Sequence, residues 1–138
     1  MEHTTYTSDD DMIKDCRERD RGCQYLKYLK RVGLANDLYS KAGSLVEVLD
    51  VAHVFPKGAF PWMRHDSWNV VLLNRYTHSM IDQGKHPSTG KPITPLQREV
   101  FWFGVFQASM SRAEAFDRLT YLTNLSKQRS STHGKSED

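Results

Sequence analysis

The chain has 138 residues, 38% hydrophobic and 26% charged, which suits one soluble globular domain with a modest core. No apolar run approaches the roughly 20 residues of a membrane span, and the acidic, polar start MEHTTYTSDDDMIK is no secretory leader, so a cytosolic protein is expected. Net charge is only +2, which permits nucleic acid as a partner without demanding it.

Charge is unevenly spread. Asp9, Asp10 and Asp11 cluster near the start, while 14–41 is dense in Lys and Arg. Residues 1–11 lack periodicity and are expected to be flexible. Residues 12–32 read as partly helical, with Leu26, Leu29 and Val32 spaced three apart and Gly22 interrupting the run. Arg17, Arg19, Arg21 and Lys27 decorate this segment. They read either as a solvated helix face or as phosphate contacts, which add affinity without sequence information. Cys16 and Cys23 are not expected to pair in a cytosolic chain, and two cysteines cannot build a four-cysteine zinc site.

Residues 33–43 begin and end with Gly and carry Asn36–Asp37, which predicts a turn or helix end. Residues 44–54, SLVEVLDVAHV, alternate as a strand, with Leu45, Glu47, Leu49, Val51 and His53 on one face and Val46, Val48, Asp50, Ala52 and Val54 on the other. Both faces are largely apolar, as in a buried strand. In the loop 55–67, Phe55, Phe60 and Trp62 are expected to tuck underneath while Lys57, Arg64 and His65 face a ligand. Residues 68–73, WNVVLL, form a second strand in hairpin pairing with the first, and NRYTHSMID from Asn74 reads as a short helix. The Gly- and Pro-rich 84–95 is an exposed loop.

Residues 95–125 are the longest helical candidate, with Thr94 as N-cap and Pro95 in the first turn. Val100, Phe103, Phe106 and Met110 define its apolar face, broadened by Phe101, Val105 and Ala108. A break falls at 109–114, and a second helix carries Ala115, Leu119 and Leu122. The aromatic stripe reads as core, and it offers a surface for a homodimer. The tail 126–138 is polar and expected to be flexible.

The chemistry concentrates in 50–82. His53 ends a strand at a polar loop, a good place for a general base, because a neutral imidazole titrates near working pH. His78 and Asp82 are four apart, so a helix projects both from one side, where they suit a divalent cation. Asn69 can bond backbone across the loop and pin the segment that aims His53. Asp50 lies on the strand face opposite His53.

Taken together, AH.FP.G, DSWNVVLLN and TH.MID resemble the HNH, or His-Me finger, nuclease motif, and KDCRERDRGCQYLK resembles the lead-in found in many members. The resemblance covers roughly residues 13–83. It implies an α+β fold, mainly helical around a central ββα-metal motif. It also implies a single nuclease domain over 12–125, with the core motif in 45–83 and C-terminal helices in 95–125. The implied activity is metal-dependent DNA cleavage or nicking. His53 would be the base, with Asn69 beside it in the catalytic machinery as the loop-orienting residue. His78, Asp82 and Asp50 would hold Mg²⁺, with Mn²⁺ as substitute. Lys57, Arg64, Arg75, Arg17, Arg19, Arg21 and Lys27 would contact DNA. The alternative is a catalytically impaired nucleic-acid-binding or assembly module on the same fold.

Two features depart from the family pattern. Ala52 stands where many members place a ligand before the base. The two Cys–x2–Cys pairs of a structural zinc correspond to Cys23 with Leu26 and Asn74 with Thr77, so no structural zinc is expected, and apolar packing by Tyr25, Leu26 and the C-terminal aromatic helices would replace it. The Ala–His pair and small size are similar to phage-type members, including recombination nucleases that cut branched DNA. Such a chain would act in the host cytosol on branched or nicked DNA.

Overall fold

The computed structural model describes residues 3–35 and 42–136, with side chains of the last helix described as far as Lys127. The described chain is α+β and mainly helical. In order it forms α1 (Asp9–Asp20), α2 (Gln24–Val32), β1 (Leu49–His53), β2 (Val70–Asn74), α3 (Arg75–Asp82), α4 (Pro95–Phe106) and α5 (Arg112–Ser136). The expected turn at Asn36–Asp37 lies outside the described residues. No helix among them is long and apolar enough to cross a membrane.

The two strands pair antiparallel, Leu49 opposite Asn74 and His53 opposite Val70. The expected first strand is shorter than its alternation implied, because Gly43–Val46 wind into a 3-10 turn. It is also only half-buried: Ala52 is its one buried residue, whereas all five residues of β2 are buried. Alternation separates two cores. Ala52, Val71 and Leu73 face the larger one, with Leu26, Leu29, Phe101, Trp102, Phe106 and Leu122. Val70 and Leu72 face α1 through Met12 and Cys16, with Leu49 and Val51 beside them. Because the α1 side is also the His53 side of β1, the helix that seals this face also reaches the end of the strand.

Helix α1 begins earlier than expected. Ser8 caps it, accepting from the Asp11 N–H at 3.2 Å, and Asp9, Asp10 and Asp11 fill the first turn, where carboxylates complement the helix dipole. The preceding residues, expected to be flexible, are tied down. Thr5 bridges Asp66, the Ser67 N–H donates to the Thr4 carbonyl at 2.7 Å, and His3 and Tyr121 both bond the Asp66 carboxylate. The break after α1 is made by Arg21, in the left-handed region at φ 58°, rather than by Gly22.

The lead-in KDCRERDRGCQYLK forms a buried clasp on β2. Asp20, buried, accepts the Leu72 N–H at 2.9 Å and the Arg19 guanidinium at 2.8 Å. Arg19 donates in turn to the carbonyls of Ser67 (2.8 Å) and Val70 (2.6 Å). From the other side Arg118, fully buried on α5, donates to Trp68 O and Val70 O at 2.9 and 3.1 Å and lies over the Phe106 ring. Arg19 is therefore an internal strut, a correction to its reading as a phosphate contact. The expected result for Asp20→Ala is a loss of about 3–5 kcal/mol, because it strands the Leu72 N–H and takes the carboxylate from Arg19, leaving that half-buried charge to the Ser67 and Val70 carbonyls alone. Urea denaturation should show a lower midpoint at unchanged slope.

Thr94 caps α4 with Pro95 in the first turn, as expected, and Gln97 completes a capping box. Its buried face keeps the expected Phe101, Val105 and Phe106 but is turned toward Trp102 and away from Val100. Phe101, Trp102, Val105 and Phe106 point inward, while Val100 is 62% exposed. The rotation follows from α2, which packs so closely that a Cβ on Gly104 would meet the Tyr28 ring at 2.8 Å. Tyr25 packs on Phe101 with ring centroids 4.8 Å apart. Helix α5 runs on to Ser136 through the tail expected to be flexible.

Candidate active site

The loop 54–69 between the strands is closed by Asn69. This side chain is fully buried. Its Oδ1 accepts the Phe55 N–H at 2.9 Å, and its Nδ2 donates to the carbonyls of Phe55 and Met63 at 3.0 and 3.1 Å. The backbone closes the same neck, Val54 N–H to Asn69 O at 2.9 Å. Phe55, Phe60 and Trp62 stack edge to face beneath the loop, as expected. Asn69 is thus a positioning residue. It fixes both ends of the segment that carries Arg64.

Arg64 matters first through its backbone. Its carbonyl lies 2.9 Å from His53 Nε2. A carbonyl only accepts, so the neutral ring carries its proton on Nε2, and Nδ1 keeps its lone pair. Burial holds the His53 pKa below the usual 6.5, so the ring is unprotonated at neutral pH. A pinned, neutral imidazole with one basic nitrogen is the form a general base requires.

His53 opens on a cleft of about 330 Å³ that is also lined by Asp9, Met12, Ile13, Val51, Lys57, His78 and Asp82. Four of the predicted site residues, His53, Lys57, His78 and Asp82, thus meet in one cleft. Helix α3 presents the latter two. Asn74 caps it, accepting the Thr77 N–H at 2.8 Å, and one helical turn brings His78 Nε2 to 3.2 Å from Asp82 Oδ2. Asp50 does not line the cleft. It stands behind His78, 3.1 Å from Nδ1, and takes a two-point ion pair from Arg75, with Nη2 at 2.9 Å. Arg75 holds the Asp50 carboxyl below its usual pKa. Asp50 is therefore placed to orient His78 rather than to bind beside it, a correction to its reading as a direct ligand.

No group of three or more His, Cys, Asp or Glu side chains among the described residues is arranged to hold a metal ion. The donor set still fits a hard divalent cation. Mg²⁺ keeps several waters and takes substrate oxygens, so one or two protein donors suffice, and a carboxylate behind a ligating imidazole is the usual support.

The predicted DNA-contacting residues divide. Lys57 lines the cleft and makes no hydrogen bond or ion pair among the described residues. Arg17 and Arg21 are exposed, each donating to one backbone carbonyl, Leu49 and Glu18. Lys27 bonds the last carbonyl of α1, on Asp20. Arg75 is engaged by Asp50. Arg64 and His65, expected to face a ligand, both bond Asp9. Asp9 was missed as a cleft residue because 1–11 read as flexible. Ser8 followed by three acids is the helix-start signal that could have found it.

Cys23, Leu26, Asn74 and Thr77, the positions at which the resemblance led to an expected loss of a structural zinc, lie together. The buried Cys23 thiol faces the backbone of Leu26 and Asn74 and the Thr77 hydroxyl, and burial raises its pKa. Leu26 and Tyr25 belong to the larger core, where they tie α2 to the aromatic helix.

Comparison with known proteins finds no matching family model, no significantly similar curated protein and no significantly similar solved structure.

Proposed function

We propose that this chain is a metal-dependent DNA endonuclease or nickase of the HNH type. The observation that carries the reading is His53, fixed through Nε2 and basic at Nδ1, in one cleft with His78 and Asp82. Meeting of positions 23, 26, 74 and 77 adds support from a second part of the motif. In this reading His53 Nδ1 takes a proton from water as the oxygen attacks phosphorus, and the Arg64 carbonyl steadies the imidazolium that forms. His78 and Asp82 would hold Mg²⁺, or Mn²⁺ in its place, which when bound would stabilise charge on the phosphoryl and leaving oxygens. Lys57, at the cleft, and Arg17 and Arg21, on the exposed surface, would contact backbone phosphates. The deciding experiment is nicking of supercoiled plasmid with Mg²⁺, Mn²⁺ or EDTA. Metal-dependent nicking supports the reading, and its absence with every cation removes it.

A second reading, a nucleic-acid-binding or assembly module without catalysis, is favoured by two features. Ala52 is a buried apolar residue at the position before the base, and both nitrogens of His78 already face carboxylates. Cation binding separates the two readings. Asp50→Ala releases His78 Nδ1, and for the nuclease it should weaken Mn²⁺ binding by about 10–100-fold in a calorimetric titration. A protein that binds no Mn²⁺ before the substitution supports the module.

A further inference from the structure

The Asp9 carboxylate receives three donors. Arg64 Nε lies 3.0 Å from Oδ1, Arg64 Nη2 bonds Oδ2, and His65 Nε2 lies 2.8 Å from Oδ1. We propose that Arg64 and His65 form a seat for one nucleic-acid backbone phosphate, and that Asp9 fills this seat as an internal stand-in which the incoming phosphate displaces. The identity of the ligand rests on the nuclease reading; the seat itself rests on geometry.

The donor set matches the ligand. A guanidinium fork presents two parallel N–H groups to a carboxylate or to a phosphate alike, and an imidazole adds a third donor. The location matches as well. Asp9 lines the cleft with His53, and the residue that holds the His53 ring by its carbonyl is Arg64, whose side chain makes the seat. An anion held there takes the place of the Asp9 carboxylate, which shares the cleft with His53.

Asp9 is also free to leave. Ser8, not Asp9, caps α1. The helix is anchored further along, by buried Met12 and Cys16 against Val70 and Leu72. The Asp9 and Arg64 side chains are each 41% exposed, so exchange needs rotation of a side chain rather than movement of the helix. The contact holds the carboxyl pKa down at about 2, so the stand-in stays charged under all working conditions. An ordinary surface ion pair would have the same distances, and the two differ in what its removal does to DNA binding.

The test is binding of a short labelled DNA duplex, followed by fluorescence anisotropy in EDTA across a salt series. Asp9→Asn is expected to tighten binding about tenfold at low salt and to steepen the slope of log K against log salt by roughly 0.9, the signature of one more phosphate contact. Asp10→Asn removes the same charge from an exposed neighbour and is expected to change binding by less than about twofold. Asp9→Ala must reproduce the gain, which guards against a local effect of one variant, and Arg64→Gln in the Asp9→Asn background must abolish it. The proposal is overturned if Asp9→Asn behaves as Asp10→Asn, if the gain survives Arg64→Gln, or if no variant binds DNA. Because the assay needs neither metal nor cleavage, a gain without plasmid nicking would keep the seat and remove the nuclease, whereas nicking without a gain would do the reverse.

Discussion

His53→Ala should lower metal-dependent plasmid nicking by about 10²–10⁴-fold while DNA affinity stays within about twofold, since a general base contributes that much to rate and little to ground-state binding. The direction of the His53 pKa shift adds a second, independent readout. Burial, the largest cause, depresses the pKa below 6.5. The basic form therefore persists to lower pH than in a free histidine, and the rate should rise with pH through a midpoint below 6.5 and stay level across neutrality. Stability follows the same group. Above pH 6.5 the folded and unfolded states are both neutral at His53 and its contribution is fully present. As pH falls through the folded pKa the unfolded state takes up the proton more readily, and that contribution is lost. A single-turnover pH profile with a midpoint well above 6.5, or parental nicking by His53→Ala, would remove His53 as the base.

How much of this was legible beforehand depended on whether the signal was local. The helix starts at Asn74 and Thr94 were readable because capping is set by a few adjacent residues. The hairpin was readable because two apolar runs flank a Pro- and Gly-broken loop. What escaped was tertiary. The segment 44–54 alternates throughout, but nothing local marks that only Leu49–His53 finds a partner strand. The face of α4 was found in part: Phe101, Val105 and Phe106 are buried as expected, but Val100 and Trp102 are equally apolar in sequence, and the choice between them is made by α2 at Gly104. Arg19 read as a solvated charge or a phosphate contact, because no pattern shows that Val70 O, inside the protein, takes both its guanidinium and that of Arg118. In the cleft, the meeting of His53, His78 and Asp82 was foreshadowed by their spacing. Asp9 was not, since it reaches the cleft only because α1 lies antiparallel to β1, with Arg17 at the Leu49 end and Asp9 at the His53 end.

Asn69→Ala is the second large effect, and it separates aiming the base from being the base. Removal of the side chain leaves the Phe55 N–H and carbonyl unpartnered beneath the loop and takes one of two donors from the Met63 carbonyl, which keeps the Asp66 N–H. Buried groups stranded in this way cost about 1–3 kcal/mol each when water cannot reach them, so a loss of roughly 2–4 kcal/mol in urea unfolding is expected after partial relaxation. The neck between Val54 and Asn69 then loosens, and with it the Arg64 carbonyl that holds His53 Nε2. Misplacement of a catalytic group by about 1 Å lowers rate on the order of a hundredfold. The expected kinetic pattern is a fall in kcat with KM little changed, because the residue touches no ligand-facing side chain. The pH dependence should survive, because His53 still titrates. Asn69→Asp should be no milder: it keeps the acceptor for Phe55 N–H but turns a carboxylate oxygen toward two carbonyls that need donors. Folded Asn69→Ala protein that nicks at the parental rate would mean that the loop does not aim His53, and that the ring is held by its strand alone.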